Sequence, residues 1–231
     1  MKAKPKPKKK TSAKLRPLRI VGGVFVGPTP PDREAITYSG RDDIAIKGVE
    51  ACDAATLIRL VDCGNIKIIR PRLARPLGPP DPDGQCIQII RPRGLVLIED
   101  PECVAGPRAE DLISIFADRP VNACVRIRGG ELVGRGGSHS STSIIADGQF
   151  CPPVEVTGVT IRGARVAVQL AGGEGHYVHD NDVAGCVHDV EVCGYYPEDD
   201  PRPVLNWRAE NTGRINWEPG CAGVADGRDV G

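Results

Sequence analysis

Short runs of alternating apolar and polar residues recur along this chain, and each run ends at a glycine or a polar turn. One set of runs begins at Ile44, Ile66, Leu95, Val125, Val154 and His176, at separations of 22 to 30 residues. A second set alternates with the first and begins at Ala35, Leu57, Ile87, Leu112, Ser143, Val166 and Val190. Such alternation predicts β-strands with one buried face, and no amphipathic helix separates the runs. The fixed order predicts two or three short strands in every coil of a repeating fold.

A repeat of this kind is typical of a solenoid in which each coil pairs in parallel with the next. We predict an all-β fold, a right-handed parallel β-helix of about seven coils. A β-sandwich also contains many short strands, but it gives no reason for similar strings to recur in order. The alternation predicts solvent-facing Lys67, Arg126 and Glu155, and it predicts inward-facing Ile66, Ile68, Val125, Ile127, Val154 and Val156. Residues 18–231 are assigned to one β-helix domain, whose last coil and cap begin at about residue 200.

The composition agrees with an aliphatic core. Hydrophobic residues make up 40% of the chain and aromatic residues only 4%, and there are 28 Gly and 21 Pro. Nine cysteines are present, an odd number with scattered spacing, which favours reduced thiols that pack as small apolar residues. Cys186 and Cys193 are the best pair to suspect of a disulfide.

The formal charge of zero conceals a strong asymmetry. Residues 1 to 19 carry seven Lys and two Arg with no acidic residue, and the remainder has 21 basic against 30 acidic residues. A lysine and proline block of this kind cannot bury apolar surface, so residues 1–17 are predicted to form a disordered basic arm. The arm either solubilises the protein or contacts an acidic polysaccharide, an acidic protein or a nucleic acid surface. Its lysines are Lys2, Lys4, Lys6, Lys8, Lys9, Lys10 and Lys14.

Two targeting signals are missing from the sequence. No apolar segment follows the lysine run before Pro17, and no stretch of 18 or more apolar residues occurs. We therefore expect synthesis in the cytoplasm, without a signal peptide and without a membrane span.

The segment from Gly136 to Gly185 resembles the repeats of the pectate-lyase-like superfamily of right-handed β-helices. It contains GGSHSSTSIIADG, VEVTGVTIRGARVAVQLAGG and the turn Asp180-Asn181-Asp182, and NWRAENTGRINW resembles closing coils of such chains. The resemblance covers roughly residues 18 to 218. It implies the fold, but the superfamily includes lyases, hydrolases, epimerases, phage spikes and non-catalytic modules. Gly129 and Gly158 stand where a turn asparagine is common in this superfamily.

Two columns of outward side chains are predicted on the first set of strands. One contains Ala45, Lys67, Val96, Arg126, Glu155 and Tyr177, and the other contains Lys47, Ile69, Ile98, Arg128, Thr157 and His179. Neighbours in a column lie about 4.8 Å apart. Lys67, Arg126, Arg128, Glu155 and His179 are therefore candidates for a groove that binds an anionic or hydroxyl-rich glycan. A solvated face with compensating charges is the simpler interpretation of each residue alone.

The longer coils contain insertions at Ala74–Gly84, Asp100–Asp111 and Gly134–Thr142, which we expect to stack as a ridge of loops beside this face. The loops also contain Asp81, Asp83 and Arg108. Paired carboxylates there could hydrolyse a glycoside, and an arginine beside a bound cation could abstract a proton in a lyase. The weak catalytic candidates are Glu102, Glu110, Asp111, Arg135 and His139. The Trp-Asp-His signature of pectate lyases and the paired-Asp motif of polygalacturonases are not found.

Potential metal ligands are densest near the C-terminal coils, at His176, His179, Asp180, Asp182, His188 and Asp189. His176 and His179 are three residues apart, which sends their side chains to opposite faces of a strand. We therefore predict neither a metal nor a cofactor, and no nucleotide-binding or esterase motif occurs.

These observations favour a non-catalytic structural or carbohydrate-binding β-helix, compatible with a phage or virion component tethered by its basic arm. A small polysaccharide lyase or glycoside hydrolase is the alternative. By resemblance to spike-like β-helices, a homotrimer or assembly into a larger particle is the expected oligomeric state.

Overall fold

The computed structural model describes residues 16–27, 33–77, 84–107, 109–135, 142–194, 203–226 and 228–230. In these residues the chain forms a parallel β-solenoid of about seven coils, with no helix. The β-helix prediction is thus confirmed. The predicted arm lies almost wholly outside the described residues, which begin at residue 16.

Each of the first seven coils contributes one strand to each of three sheets, and the last four strands belong to sheets A and C. Sheet A contains β1 (Leu18–Val21), β4 (Asp42–Lys47), β7 (Gly64–Ile69), β10 (Arg93–Glu99), β13 (Ala123–Arg128), β16 (Val154–Thr157), β19 (Tyr177–His179), β22 (Leu205–Glu210), β24 (Ala222–Ala225) and β25 (Arg228–Val230). Sheet B contains β2 (Val24–Val26), β5 (Glu50–Cys52), β8 (Arg72–Ala74), β11 (Glu102–Val104), β14 (Glu131–Val133), β17 (Thr160–Arg162) and β20 (Asp182–Ala184). Sheet C contains β3 (Ile36–Ser39), β6 (Ile58–Val61), β9 (Ile87–Ile90), β12 (Asp111–Phe116), β15 (Thr142–Asp147), β18 (Val166–Ala171), β21 (His188–Val192) and β23 (Ile215–Trp217).

All strand pairs among the described residues are parallel except β24 with β25, which are antiparallel. The predicted inward residues Ile66, Ile68, Val125, Ile127 and Val156 are fully buried, and Val154 is 1% exposed. Successive coils thus share one continuous aliphatic interior, which excludes the β-sandwich. Toward the C-terminal end the core includes Trp207, whose ring centroid lies 6.5 Å from that of Trp217.

A residue with left-handed backbone conformation directly follows each sheet A strand from β1 to β24, at the turn where that strand ends. Its φ lies between 45° and 65° at Gly22, Gly48, Arg70, Asp100, Gly129, Gly158, Asp180, Asn211 and Asp226. Glycine adopts this conformation without steric cost, and Asn and Asp tolerate it better than other residues. Gly129 and Gly158 therefore lie at turns, the position assigned to them in the sequence analysis.

The predicted outward columns are wrong in one coil. Val96 and Ile98 are fully buried, and Leu97 and Glu99 take the outward positions between Lys67 and Arg126 or Arg128. The cause is an irregularity in the pairing of β7 with β10, which shifts the register before Val96. A shift of one residue moves every side chain to the opposite face of its strand.

Candidate functional site

The outer face of sheet A holds four of the five predicted glycan-binding residues in one charged network. A carboxylate oxygen of Glu155 lies 3.1 Å from Arg126 Nε and 3.6 Å from Arg128 Nη2, and its other oxygen lies 3.8 Å from His179 Nε2. Lys67 does not join them, because Leu97 separates it from Arg126 in the register. The charges of this face are thus largely neutralised by one another.

The same network continues toward the C-terminal coils. Tyr177 stacks on His179 with ring centroids 4.1 Å apart, and its hydroxyl donates to Glu210 Oε2 at 2.8 Å. This hydrogen bond, aided by Arg208, holds the pKa of Glu210 below its ordinary value. Asp180 accepts hydrogen bonds from His179 and Asn211, which lower the pKa of its carboxyl. The donors and acceptors of this network therefore hydrogen-bond to one another within the protein.

A cleft of about 430 Å³ lies instead on the outer face of sheet C. Its floor comes from β9, β12, β15 and β18, and its walls include residues next to the long loops between sheets B and C. The lining is polar at Gln85, Gln88, Glu110, Asp111, Ser114, Thr142, Asp147, Arg165 and Gln169, and apolar at Ile90, Phe116 and Ile145. We call this the sheet C cleft.

Alternation along the strands produces its floor. Gln88, Ser114, Ile145 and Gln169 are aligned in neighbouring strands and point outward from the buried residues on either side. They fall inside apolar strings such as Ile87-Gln88-Ile89, where an outward polar residue is the ordinary expectation. Sequence reasoning therefore passed over them, and only the recurrence of an amide at this position could have pointed to the site.

Several polar side chains of the sheet C cleft are buried. Exposure is 5% for Gln85, 8% for Asp111, 7% for Ser114 and 4% for Thr142, which is half of the buried polar residues among those described. Burying a polar group costs free energy unless it is hydrogen-bonded. Their concentration at one cleft therefore marks it as the polar site of this solenoid.

Hydrogen bonds between coils hold these amides in place. Gln85 accepts from the Thr56 hydroxyl at 3.2 Å and donates to Glu110 Oε2 at 3.3 Å. The Thr142 hydroxyl donates to Gln169 Oε1 at 3.1 Å. Arg59 Nε donates to Gln88 Oε1 at 2.8 Å. Gln169 Nε2 also donates to Cys193 Sγ at 3.3 Å. These contacts fix the orientation of each amide group.

Three carboxylates line the sheet C cleft. Glu110 and Asp111 stand at the beginning of β12, and Asp147 ends β15. Burial raises the pKa of Asp147, although its carboxylate accepts a hydrogen bond from the Gly148 N–H. The arginine of the lining, Arg165, is paired with Glu191 at 3.2 Å.

The catalytic candidates do not come together as predicted. Glu110 and Asp111 line the sheet C cleft, whereas Glu102 lies in strand β11 of sheet B, where Arg72 pairs with it at 3.2 Å. Arg135 is exposed outside the cleft lining, and His139 lies outside the described residues, as do Asp81, Asp83 and Arg108. The connections that contain the long loops run from sheet B strands to sheet C strands, so their described ends adjoin sheets B and C and not the sheet A columns. The prediction misplaced them because it did not separate the three-residue strands of sheet B.

The histidines near the C-terminal coils have structural contacts. His176 is 1% exposed, its Nδ1 accepts from the Val154 N–H at 3.3 Å, and its Nε2 donates to the Gly172 carbonyl at 2.7 Å. Burial lowers the pKa of His176 to about 4, so it is neutral near pH 7. Asp189 accepts from the backbone and side chain of Arg214. In the described residues no group of three or more His, Cys, Asp or Glu side chains is placed to hold a metal ion.

All nine cysteines are free thiols, so the suspected pairing of Cys186 with Cys193 is wrong. Cys186 lies after a sheet B strand, and Cys193 follows a sheet C strand and accepts a hydrogen bond from Gln169 at 3.3 Å. Burial raises the pKa of Cys193 to about 11, which keeps the thiol protonated at neutral pH. The cysteines therefore act as small apolar residues here.

Comparison of the chain with protein-family models, with curated proteins and with solved structures found no match. The part of the chain that the structure describes contains no helix of the length and apolarity needed to cross a bilayer.

Proposed function

We propose that this protein is a non-catalytic carbohydrate-binding β-helix of the pectate-lyase-like kind, and that its glycan lies in the sheet C cleft. The supporting observation is the group of buried polar side chains at Gln85, Ser114 and Thr142 beside Phe116, in which Gln85 and Thr142 are hydrogen-bonded between coils. Sugar hydroxyls both donate and accept hydrogen bonds, as amides do. An elongated cleft with converging polar groups is the usual form of a ligand site.

The spacing of the carboxylates supports binding over hydrolysis. Asp147 pairs in register with Phe116, five positions along β12 from Asp111. At about 3.3 Å per residue this places the two backbones about 16 Å apart along the strands. Glycosidases hold their two carboxyl groups at about 5 to 9.5 Å. Asp111 and Asp147 are therefore better suited to accept sugar hydroxyls than to act as an acid and base pair.

A polysaccharide lyase or hydrolase is the second candidate. The observation in its favour is Asp147, whose raised pKa is the property expected of a general acid. Enzyme activity also requires a second catalytic group, and the residues paired with Asp147 in the neighbouring strands are Phe116 and Ala171.

Calorimetric titration with a panel of oligosaccharides tests the proposal. We expect binding without turnover, measured as no new reducing ends and no ultraviolet absorbance from unsaturated products. Phe116→Ala should weaken binding at least about fivefold, because one aromatic contact contributes about 1 kcal/mol or more. Arg126→Ala on sheet A is the matched control and should bind normally. Turnover abolished by Asp147→Asn would establish the enzyme alternative instead.

We further propose that the basic arm tethers the protein to an acidic partner or particle, as in a virion component. The support is the run of seven Lys and two Arg in residues 1 to 19. Deleting residues 1 to 14 should abolish association with acidic polysaccharide, nucleic acid or acidic protein while leaving the thermal midpoint unchanged. Equal association by the shortened chain would refute the tether. Native mass measurement would test the expected trimer.

A further inference from the structure

The first coil of the solenoid has an uncovered end. Strands β1, β2 and β3 each have a single neighbour among the described strands, on the side of the second coil. An edge strand presents unpaired N–H and C=O groups to any chain that can pair with it. At the opposite end of sheet A, the last strand, β25, is antiparallel to its neighbour and closes the sheet. The first coil instead ends in three adjacent edges that no described strand covers.

The surface of this end is largely apolar. Val21, Val24 and Val26 are 77%, 68% and 67% exposed, the three highest values among the exposed large hydrophobic residues of the described chain. Five of the eight partly buried hydrophobic residues that pack on the core also belong to this coil: Leu18, Ile20, Phe25, Ala35 and Tyr38. Inward residues of later coils, such as Ile66 and Ile68, are fully buried. The core is therefore open at the first coil, where a solenoid needs a cap.

The composition of the neighbouring segments is poorly suited to covering this end. Residues 1–15 include seven Lys and only four apolar residues, two of which are Ala. Residues 28–32, between β2 and β3, read Pro-Thr-Pro-Pro-Asp, and proline has no N–H to donate to an edge strand. A second copy of the chain, in contrast, has the same apolar surface and the same unpaired edges. A two-fold axis brings such identical surfaces together.

We infer that two copies of this chain pair end to end through their first coils, with β1 antiparallel to β1 of the second copy. The two-fold axis then also places β2 of each copy against β3 of the other. Phe25 meets Tyr38 of the second copy in both of these contacts, and aromatic residues are frequent centres of interface affinity. Since the pairing occupies the open edges of both copies, the assembly closes at two. This surface is separate from the proposed glycan site, and the expected dimer differs from the trimer that the resemblance implies.

The backbone of β1 indicates the register of the pairing. Gly22 N–H donates to the Lys47 carbonyl, toward the second coil. Successive residues of a strand direct their N–H and C=O groups to alternate edges, so those of Arg19 and Val21 point to the open edge. Matched inward faces then allow Arg19 to lie opposite Arg19 or opposite Val21 of the second copy. Like charges directly opposite each other are destabilising, which favours Val21 and places Ile20 opposite Ile20.

The basic arms do not oppose this pairing. In the favoured register, residue 17 of each copy lies opposite Gly23 of the other, so the two arms begin about 20 Å apart along the strands. This distance exceeds the Debye length of about 8 Å at physiological salt, so repulsion between the arms is screened. Each arm begins beside the body of the second copy, which is negative because 21 basic and 30 acidic residues follow residue 19.

The size of the end sets the strength of the dimer. A coil such as that from Ile44 to Ile66 has 22 residues. At about 3.3 Å per residue its perimeter is about 70 Å, and a triangle of that perimeter has an area of about 250 Å². A standard interface buries about 800 Å² on each partner. We therefore expect a weak dimer whose fraction rises with protein concentration.

Sedimentation velocity and native mass measurement of the full chain at increasing concentration test the dimer. Val21→Lys should raise the dissociation constant about tenfold or more, because it removes an apolar contact and places Lys opposite Arg19 twice in each dimer. Adding Arg19→Glu to Val21→Lys should restore the dissociation constant to within about threefold of the original, since Glu then faces Lys. Val104→Lys, at an exposed position in an inner coil of sheet B, is the matched control and should dimerise normally. Circular dichroism and the thermal midpoint show whether each variant is folded.

A cross-link tests the register directly. Ile20→Cys should yield a covalent dimer with oxidised glutathione, because opposite residues of a non-hydrogen-bonded antiparallel pair have Cα atoms about 4.5 Å apart, within the range of a disulfide. The unaltered protein and Val104→Cys should give no such product.

Three results would overturn the inference. They are a chain that stays monomeric at about 1 mM, a trimer, and a dimer that Val21→Lys leaves unchanged. If Ile20→Cys did not fold, restoration of the Val21→Lys dimer by Arg19→Glu would still decide the register, and a failure to restore it would overturn that register. None of these results depends on whether the sheet C cleft binds a glycan.

Discussion

The outer faces of sheets A and C stand on the same aliphatic core, yet their polar side chains are arranged differently. On sheet A, Glu155 contacts Arg126, Arg128 and His179, so each charge has a partner on the protein. On sheet C, Gln85, Ser114 and Thr142 are buried beside a cleft that Gln88 and Gln169 also line. Charge density alone therefore does not identify a binding face. What distinguishes sheet C is the burial of hydrogen-bonded polar side chains beside a cleft.

The largest expected effect tests the core that the two faces share. Ile127 lies beneath sheet A and Ile144 beneath sheet C, and both are fully buried. Ile127→Ala and Ile144→Ala should each lower the free energy of unfolding by about 2 to 5 kcal/mol, since each leaves a cavity. Urea unfolding followed by circular dichroism measures both. A loss below about 1 kcal/mol at only one position would contradict a single continuous core.

The core and the pairing of coils could be predicted from the sequence, because apolar and polar residues alternate with a period of two in strings such as Ile66-Lys67-Ile68. Two features were not accessible. The sheet B strands have three residues, too few to show a period. The irregularity before Val96 lies at Gly94, whose φ is 67°, and a single glycine in a strand does not by itself fix how the register shifts. The sheet C cleft could not be predicted either. Its place depends on the order of the sheets along each coil, and that order could not be known without the sheet B strands.

The next prediction compares two aspartates, Asp147 and Asp180, whose contributions to stability change with pH in opposite directions. Burial raises the pKa of Asp147 on sheet C, so ionisation costs stability as pH rises through that raised value. Hydrogen bonds from His179 and Asn211 lower the pKa of Asp180 on the sheet A side, so the stability it contributes is lost as pH falls through the lowered value.

At neutral pH, Asp147→Asn should therefore raise the thermal midpoint and Asp180→Asn should lower it. Asparagine keeps an acceptor for the Gly148 N–H at position 147 and tolerates the left-handed turn at position 180. The Asp147 difference should vanish in acid, below the pKa of an unfolded carboxyl, whereas the Asp180 difference should vanish only below the lowered pKa of the folded state. Differential scanning calorimetry across pH measures them, and two shifts of the same sign would contradict the contrast between the faces.

A smaller effect is expected from the ion pairs of sheet A. Glu155→Gln removes the negative charge between Arg126 and Arg128, and the pairs are partly exposed to solvent. The free energy of unfolding should fall by about 0.2 to 1 kcal/mol at low salt, and by less at high salt, because solvent and ions screen such pairs. Glycan affinity should not change. A variant that folds normally but loses glycan binding would move the site to sheet A.

The smallest expected effect is that of Gly158→Asn, in the turn between β16 of sheet A and β17 of sheet B. Gly158 has a φ of 64°, and an added Cβ there would meet no atom closer than 3.9 Å. Gly158→Asn should change the free energy of unfolding by about 0.5 kcal/mol or less, since Asn tolerates left-handed backbone. Gly158→Val should cost about 1 to 2 kcal/mol, because a β-branched residue is strained at positive φ. Equal losses of unfolding free energy in the two variants would contradict this prediction. They would show that crowding of the side chain, and not backbone conformation, determines the cost at this turn. Gly129 is the crowded counterpart, since a Cβ there would lie 2.3 Å from Asp100 Oδ1 and must displace that side chain.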